Sequence, residues 1–310
     1  MLAPFLLMTL TRQSPCKVNF LLNILGKRAD GFHELETVIQ PVPVFDELQF
    51  NLGGRSIELT CNHSALAVDS TNLVHRAAAA FLQAARRAEG VRIQLEKRIP
   101  LAAGLGGGSG NAAHTLLGLN ELFNQPLTDR QLQEIAAALG SDVPFFLQSQ
   151  AALATGRGEK IIPLDFFPAL RGVFIFLVHP GFGISTAWAY QALARHPETL
   201  KGPPGRAQKL VSLLQTGDLP AAANEFYNAL EAPVLNKYPL LALFQEFLKA
   251  NGAVATLMSG SGSTTFALVK GQNAAELLRE NFRSKFGESY WTALAPLRPF
   301  PLPSDARGAG

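Results

Sequence analysis

The sequence predicts a two-domain α+β protein, and three observations support this prediction. The chain has 310 residues, which suits about two domains. Hydrophobic residues make up 47% of the chain and charged residues 16%, a balance typical of a well-buried globular protein. Strand-like apolar runs alternate with amphipathic helical patterns along the whole length, without an internal repeat. We place the domain boundary between residues 163 and 164, so that the domains cover 1–163 and 164–310.

In the first domain, runs rich in Val, Ile, Leu and Phe indicate strands, and apolar spacing of three and four residues indicates helices. Thr128 with Asp129 is typical of a helix start. The predicted strands cover 14–25, 35–44, two short segments within 46–61, 91–99 and 151–163. The predicted helices cover 72–88, 108–123 and 128–140.

The second domain repeats this mixture. The predicted strands cover 173–178, 254–258, 264–269 and 290–295. The predicted helices cover 186–194, 207–214, 219–230, 238–250 and 273–284. From Pro296 the chain is rich in Pro and Gly, so we expect this tail to fray.

Charge and cysteine content narrow the class of protein. The net charge of +3 is small, and the basic residues are scattered, which argues against a nucleic-acid partner. Cys16 and Cys61 lack metal-ligand spacing, as expected in a reducing compartment. The apolar first ten residues have no basic leading segment and are too short to span a bilayer. We therefore expect a cytoplasmic protein without a membrane partner, as a monomer or weak homodimer.

Residues 100–111, Pro-Leu-Ala-Ala-Gly-Leu-Gly-Gly-Gly-Ser-Gly-Asn, form the most informative segment. Glycines let a backbone turn sharply and approach a ligand closely, and the helix predicted to follow presents N–H groups to an anion. The segment lacks the Lys-Ser/Thr ending of a Walker A loop and the spacing of a dinucleotide fingerprint. It predicts a phosphate cradle for a nucleotide; the alternative is a flexible turn. Ser109 and Asn111 could reach phosphate oxygens or Mg²⁺, or could serve as helix caps.

Three charged or amide residues are candidates for chemistry. Lys17 and Asn19 lie two residues apart and therefore on one face of a strand. A lysine in a core strand is costly unless it meets a carboxylate or phosphate, although a lysine at a sheet edge can extend its ammonium into solvent. Asp142, after a helix end and before a proline, is a candidate general base or a turn former.

Two further segments are candidates for binding. His33 follows the charged turn 26–31 and could hydrogen-bond a base while Phe32 stacks on it; the alternative is a structural histidine. The glycine turn Gly260-Ser-Gly-Ser263 could hold an anion through backbone N–H groups, or could be a tight hairpin.

Together these segments resemble the GHMP kinase superfamily. The matching motifs are residues 15–19, 100–112 and 258–263, and the resemblance extends from about residue 12 to 295. It implies an N-terminal ribosomal protein S5 domain 2-like domain and a C-terminal ferredoxin-like domain. The segment 26–35, Gly-Lys-Arg-Ala-Asp-Gly-Phe-His-Glu-Leu, resembles one branch of the superfamily, whose small-molecule substrate carries a cytidine diphosphate group.

The resemblance also implies roles for individual residues. Lys17 and Asp142 would be the catalytic pair, and ATP and Mg²⁺ the cofactors, with the metal ligands unassigned. The implied ATP-binding residues are Asn72, Pro100, Leu101, Ala102, Ala103, Gly104, Leu105, Gly106, Gly107, Gly108, Ser109, Gly110 and Asn111. The implied substrate-binding residues are Asn19, Phe32, His33, Thr186, Gly262 and Ser263.

The sequence departs from the pattern of this branch at Phe32, where tyrosine is common, and at Gly110, where a second serine is usual. Phe32 keeps a stacking face but lacks the hydroxyl. Two alternatives remain open from the sequence. One is another GHMP kinase that acts on a small alcohol or sugar. The other is a nucleotide-binding sensor that kept the fold and lost the chemistry.

Overall fold

The structure is a computed structural model that describes residues 9–299, so most of the tail predicted to fray lies outside the described residues. The strands are β1 (Thr9–Lys27), β2 (His33–Leu52), β3 (Ile57–Cys61), β4 (Val91–Glu96), β5 (Ala151–Gly156), β6 (Lys160–Leu164), β7 (Val173–His179), β8 (Tyr227–Asn228), β9 (Ala255–Met258), β10 (Thr265–Lys270) and β11 (Trp291–Pro296). The α-helices are α1 (Leu73–Ala84), α2 (Gly107–Leu122), α3 (Asp129–Leu139), α4 (Thr186–Ala192), α5 (Arg206–Thr216), α6 (Leu219–Ala223), α7 (Glu231–Lys237), α8 (Pro239–Ala250) and α9 (Gln272–Phe286).

The chain forms two compact units, and each contains several separate stretches of sequence. The described part of the first unit comprises residues 9–15, 45–99 and 107–148. The described part of the second unit comprises residues 16–44, 100–106 and 149–299. Both β1 and β2 contribute residues to each unit. The boundary predicted between residues 163 and 164 stays a prediction.

In the first unit, β4 lies between β3 and the end of β2. It pairs antiparallel with residues 47–52 of β2 and parallel with β3. Its alternating residues Val91, Ile93 and Leu95 are buried, as expected for a strand with one face on the core. Helix α2 approaches this sheet closely, because a Cβ at Gly118 would lie 2.7 Å from the Phe50 ring. A glycine is therefore required at this helix–sheet contact.

Side-chain caps begin two helices of the first unit. The Asn72 side chain accepts a hydrogen bond from Val74 N at the start of α1. Thr128 and Gln131 form a capping box at the start of α3, which confirms the helix start predicted there. Such caps satisfy the orphan N–H groups of the first helical turn.

In the second unit, one sheet has the strand order β11-β7-β10-β9, with all pairs antiparallel. Helices between β7 and β9, and α9 between β10 and β11, complete a ferredoxin-like domain, as predicted. The rings of Phe176, Phe244 and Phe282 form edge-to-face pairs in its core. In the remainder of this unit, residues 35–39 of β2 pair with β5, β5 pairs with β6, and β1 pairs with β8.

Two helix predictions are wrong in their extent, and the first of them, 72–88, ends at Ala84. The predicted helix 219–230 ends at Ala223. The chain then forms the two-residue strand β8, in parallel register with Leu21 and Leu22 of β1. Pairing with a neighbouring strand therefore overrides the local helical pattern at this point. Among residues 9–299, no helix has both the length and the apolar character that a membrane span needs.

Candidate active site

Lys17 lies on β1 with only 4% of its surface exposed. Its ammonium donates to Asn19 Oδ1 at 2.7 Å and to the Gly104 carbonyl at 3.0 Å. Its backbone N donates to the Leu105 carbonyl at 2.9 Å. The strand that carries Lys17 is thus attached, through main chain and side chain, to the glycine-rich segment.

Asn19 is also buried, and its orientation is fixed from the other side. Its amide donates to Thr37 Oγ1 at 2.8 Å, and the Thr37 hydroxyl donates to the Leu21 carbonyl. The amide Nδ2 is thereby committed to a donor role, so that Oδ1 faces the ammonium of Lys17. This chain of hydrogen bonds holds the ammonium in one direction.

The segment 100–106 packs against the late glycine turn of the same unit. Gly104 has a φ of +76°, and a Cβ there would lie 2.1 Å from the Ser259 carbonyl. Ser259 Oγ donates to the Gly104 carbonyl at 2.9 Å, and Thr264 N donates to the Ala103 carbonyl at 3.1 Å. Two motifs that are distant in the sequence are therefore one structural feature, and only glycine fits at position 104.

In the first unit, α2 begins at Gly107 beside a buried polar cluster. Asp46 and Lys97 form a buried ion pair. Asn111 accepts from Lys97 Nζ at 3.0 Å and donates to Asp46 Oδ2 at 3.0 Å. Asp46 Oδ1 also accepts from the backbone N–H groups of Arg98 and Ile99, at 2.8 and 2.9 Å. The cluster fixes the end of β4 relative to the first turn of α2, and it occupies the Asn111 side chain.

Asp142 lies in the same unit, in a turn that Val143 N closes by donating to the Gly140 carbonyl at 3.2 Å. Its side chain is half-buried. The 3-10 helix over Pro144–Leu147 follows at once. Its Phe146 ring would lie 3.4 Å from a Cβ at Gly110. The turn of Asp142 is therefore anchored next to the first turn of α2.

Other residues predicted to bind ATP have different surroundings. Gly108 is exposed and Ser109 half-buried in the first turn of α2, so both are accessible at the helix start. Asn72 is buried, and it caps α1 while its Nδ2 donates to the Ala67 carbonyl at 2.6 Å. A contact of Asn72 with a nucleotide stays a prediction.

Phe32 and His33 lie in the second unit with aromatic and cationic neighbours. The Phe32 ring is 53% exposed, and the Arg157 guanidinium lies 4.7 Å from its centroid. The His33 ring stacks on Tyr190 with centroids 5.3 Å apart. Burial lowers the pKa of His33, so the ring is neutral at pH 7 and offers one donor and one acceptor nitrogen. No sequence pattern pointed to Arg157 or Tyr190.

The remaining predicted substrate residues surround the late glycine turn. Thr186 Oγ1 lies 2.8 Å from Ser261 Oγ, and Thr186 is exposed. Ser263 is fully buried, with its hydroxyl bonded to the Phe182 carbonyl and 3.2 Å from His179 Nδ1. Thr186 is thus accessible from solvent, whereas Ser261 is buried and the Ser263 hydroxyl lies in the protein interior.

Sequence reasoning missed four polar residues that hold the segments described above in place: Asp46 and Lys97 in the first unit, and Asn228 and the half-buried Glu231 in the second. Lys97 could have been found, because it continues the alternation of Val91, Ile93 and Leu95 on the buried face of β4. Asn228 and Glu231 could not, because the predicted helix 219–230 assigned Asn228 to the wrong element. Within the described residues, no group of three His, Cys, Asp or Glu side chains could hold a metal ion.

Comparison with known proteins defines the class. Models of the GHMP kinase N-terminal and C-terminal domains match residues 72–150 and 210–288. The structure is similar to a homoserine kinase from Cytophaga hutchinsonii, with a TM-score of 0.73, 17% identity, and coverage of 94% of this chain and 95% of that one. At this identity the likeness concerns the fold alone. With the matching domains, it shows a small-molecule kinase of the GHMP class, for which ATP is the phosphoryl donor.

More similar proteins define the branch. A 4-diphosphocytidyl-2-C-methyl-D-erythritol kinase of Synechococcus sp. (strain JA-2-3B'a(2-13)) is 39% identical over 90% of this chain and 92% of its own length. One of Citrifermentans bemidjiense is 40% identical over 84% and 90%. A solved 4-(cytidine 5'-diphospho)-2C-methyl-D-erythritol kinase matches with a TM-score of 0.77 and 33% identity over 93% of this chain and 100% of that one. The chain belongs to the family of 4-diphosphocytidyl-2-C-methyl-D-erythritol kinases, enzymes of isoprenoid biosynthesis.

Proposed function

We propose that this enzyme transfers the γ-phosphoryl group of ATP to the 2-hydroxyl of 4-diphosphocytidyl-2-C-methyl-D-erythritol, in the non-mevalonate isoprenoid pathway. Membership of the family supports the reaction. The observation that carries it to this chain is the buried ammonium of Lys17, held by Asn19 and by the Gly104 carbonyl. An ammonium is rarely buried on a core strand. Stabilisation of the negative charge that develops on a reacting oxygen accounts for the buried ammonium of Lys17.

In the proposed reaction, Asp142 accepts the proton of the substrate hydroxyl, and Lys17 stabilises the charge that develops. A nearby cation favours the ionised form of a carboxyl group. Phosphoryl transfer needs little covalent chemistry from the protein and depends on positioning and electrostatic stabilisation. The rigid attachment of each residue within its own unit, described above, fits that requirement.

The segment 100–106 and the first turn of α2 are proposed to bind the ATP phosphates. Gly104 and Gly106 both have positive φ, and the first N–H groups of a helix lack intrahelical acceptors. Mg²⁺ is usually held by substrate phosphates and only one or two protein groups, which is compatible with the lack of a carboxylate cluster within residues 9–299. Ser109 is the candidate protein contact for phosphate or Mg²⁺; the bound ion would neutralise phosphate charge.

The cytidine end of the substrate is proposed to lie at Phe32 and His33. The exposed face of Phe32 can stack on a pyrimidine, and the neutral His33 can both donate to and accept from its edge. Tyr190, stacked on His33, adds a second aromatic surface. Asn19, Thr186 and the turn Gly260–Ser263 are proposed to contact the remainder of the substrate.

An acceptor comparison tests the proposed reaction. The purified enzyme is assayed with ATP and Mg²⁺, with 4-diphosphocytidyl-2-C-methyl-D-erythritol or with the cytidine-free 2-C-methyl-D-erythritol 4-phosphate. We expect phosphorylation of the first acceptor alone. Equal turnover of both would instead favour a GHMP kinase of different specificity, and ATP binding without any turnover would favour a sensor.

The catalytic assignment is tested by substitution. Asp142→Asn and Lys17→Ala should each lower kcat on the order of a thousandfold, while circular dichroism and elution volume stay unchanged. Asp129→Asn, which alters an exposed residue at the start of α3, is the matched control and should keep full activity. Retention of wild-type turnover by either catalytic variant would refute that residue's role.

A further inference from the structure

Asn228, on β8, uses its whole side chain within the protein. It is buried, and its Nδ2 donates to the carbonyls of Met258 and Gly260 at 2.8 and 2.7 Å. Its Oδ1 accepts from Leu230 N at 3.0 Å. Both amide hydrogens therefore bind carbonyl oxygens in the first half of the late glycine turn, residues 258–263. The Oδ1 atom is held by the backbone that leads into α7.

Glu231, the first residue of α7, forms a hydrogen bond with Met258, at the start of the same segment. Its Oε1 accepts from Met258 N at 2.7 Å and from Gln245 Nε2 at 2.6 Å. Asn228 and Glu231 thus engage both the N–H and the carbonyl of Met258. We call this pair the Asn228–Glu231 clamp.

The clamped turn lies directly against the ammonium of Lys17. A Cβ at Gly260 would lie 3.2 Å from Lys17 Nζ and 3.1 Å from the Gly104 carbonyl. The Gly104 carbonyl accepts from both Ser259 Oγ and Lys17 Nζ. A continuous set of contacts therefore runs from Asn228 through residues 258–260 and Gly104 to the ammonium, and all of it lies within the second unit.

We propose that Asn228 and Glu231 are positioning residues, which hold the turn 258–260 so that it fixes the ammonium of Lys17 for phosphoryl transfer. This inference rests on the proposed function for the role of Lys17. The clamp acts through hydrogen bonds of fixed polarity. A side chain of the same size that cannot donate to the Met258 and Gly260 carbonyls releases the turn, even though the surrounding core keeps its packing.

The test combines activity with hydrogen exchange. Asn228→Asp keeps the size of the side chain but places a carboxylate against two carbonyl oxygens. We expect it to lower kcat on the order of ten- to a hundredfold, with KM for ATP within about threefold of wild type. Amide exchange in peptides covering residues 256–264, measured by mass spectrometry without ligands, should accelerate by a similar factor.

The pair Glu231→Ala and Glu231→Gln makes the same test if Asn228→Asp does not fold. The alanine variant loses the acceptor for Met258 N and should resemble Asn228→Asp. The glutamine variant keeps a carbonyl oxygen in that place and should restore kcat and exchange to near wild-type values. Failure of glutamine to restore either quantity would overturn the part assigned to Glu231.

Asn120→Asp is the matched control. Asn120 is also buried and also bonded to backbone, through Leu127 O and N at 3.1 and 3.0 Å, but it lies on α2 in the first unit. Its variant should lose stability without changing kcat or the exchange of residues 256–264. An equal fall in kcat in Asn120→Asp would reduce the clamp to a general structural role and overturn the proposal.

A double variant tests the link to Lys17. In a Lys17→Ala background, Asn228→Asp should lower the single-turnover rate no further, while it still accelerates exchange in the turn. Additive losses would show that the clamp acts elsewhere. If the wild-type enzyme does not phosphorylate the proposed acceptor, the proposed function fails, but the exchange experiment still decides whether Asn228 and Glu231 hold the turn.

Discussion

The two units each bury a lysine ammonium, and they hold it by different chemistry. In the first unit, Lys97 is ion-paired with Asp46, which also accepts from Asn111 and from two backbone N–H groups. In the second unit, the ammonium of Lys17 donates to Asn19 Oδ1 and to the Gly104 carbonyl, neither of which carries a formal charge.

Under the proposed function, Lys97 is a structural lysine and Lys17 is a catalytic one. In an ion pair that has further hydrogen bonds, the two charges compensate each other within the protein. Removal of one partner leaves the other charge buried and uncompensated. The hydrogen bonds to Asn19 Oδ1 and the Gly104 carbonyl orient the ammonium of Lys17, which the proposed function places next to the reacting group. Burial alone therefore does not predict function.

The largest expected effect comes from removing each ammonium in turn. Lys97→Met leaves Asp46 buried and charged, and should lower the free energy of unfolding by about 3 kcal/mol or more. Lys17→Met leaves the oxygens of Asn19 and Gly104 without this donor, and the loss of these two hydrogen bonds should cost about 1–3 kcal/mol. Urea unfolding followed by circular dichroism measures both. An equal loss in the two variants would erase the contrast between the two lysines.

The half-buried carboxyl group of Glu231 extends the comparison of charged groups, because its effect on stability depends on pH. Burial raises the pKa of Glu231 to about 6. Because the folded state binds this proton more tightly than the unfolded state, the protonated carboxyl stabilises the fold at low pH. That stabilisation is lost as pH rises from the unfolded value through about 6.

Glu231→Gln cannot ionise, so it should gain stability relative to wild type as pH rises from 5 to 7.5, by about 1 kcal/mol. Unfolding curves at both pH values give this difference. A pH-independent difference would mean that Glu231 titrates alike in the folded and unfolded states, and that its burial does not penalise the carboxylate.

The smallest expected effect concerns Asn72, where a structural and a functional role overlap. Asn72→Ala removes the cap of α1 and should cost about 1 kcal/mol of stability. Thr128→Ala, at the cap of α3, is the matched control with a similar cost. A higher KM for ATP in the Asn72 variant alone would support the predicted nucleotide contact. Equal KM values in the two variants would show that Asn72 serves only as the cap of α1.

Local patterns predicted most elements of the fold. Helices α2, α3 and α9 and strand β7 lie within two residues of their predicted bounds, because glycines or caps at their ends are local signals. Prediction was wrong in extent for 219–230, where the alanine-rich pattern favoured a helix and pairing with β1 imposed a strand. Sheet pairing between distant segments has no local signature.

For the site, the sequence singled out candidate residues by their own chemical type. Lys17, Asn19 and the glycine-rich segment stand out because an amine in a core strand and several adjacent glycines are unusual anywhere. It did not identify Asp46, Asn228 or Glu231, since each matters only through what it touches. An asparagine in a short strand is unremarkable until two backbone carbonyls lie within hydrogen-bond distance of its amide.

The order of residues along the chain therefore determined the class of protein, the candidate phosphate-binding segment and the candidate catalytic groups. Tertiary structure alone decided which carbonyls hold the ammonium of Lys17 and why residue 104 must be glycine. It also decided that a turn 155 residues later in the chain supports that segment. The physical reason is that periodicity and residue type act over a few residues, whereas hydrogen bonds between buried groups depend on distances that only the folded chain creates.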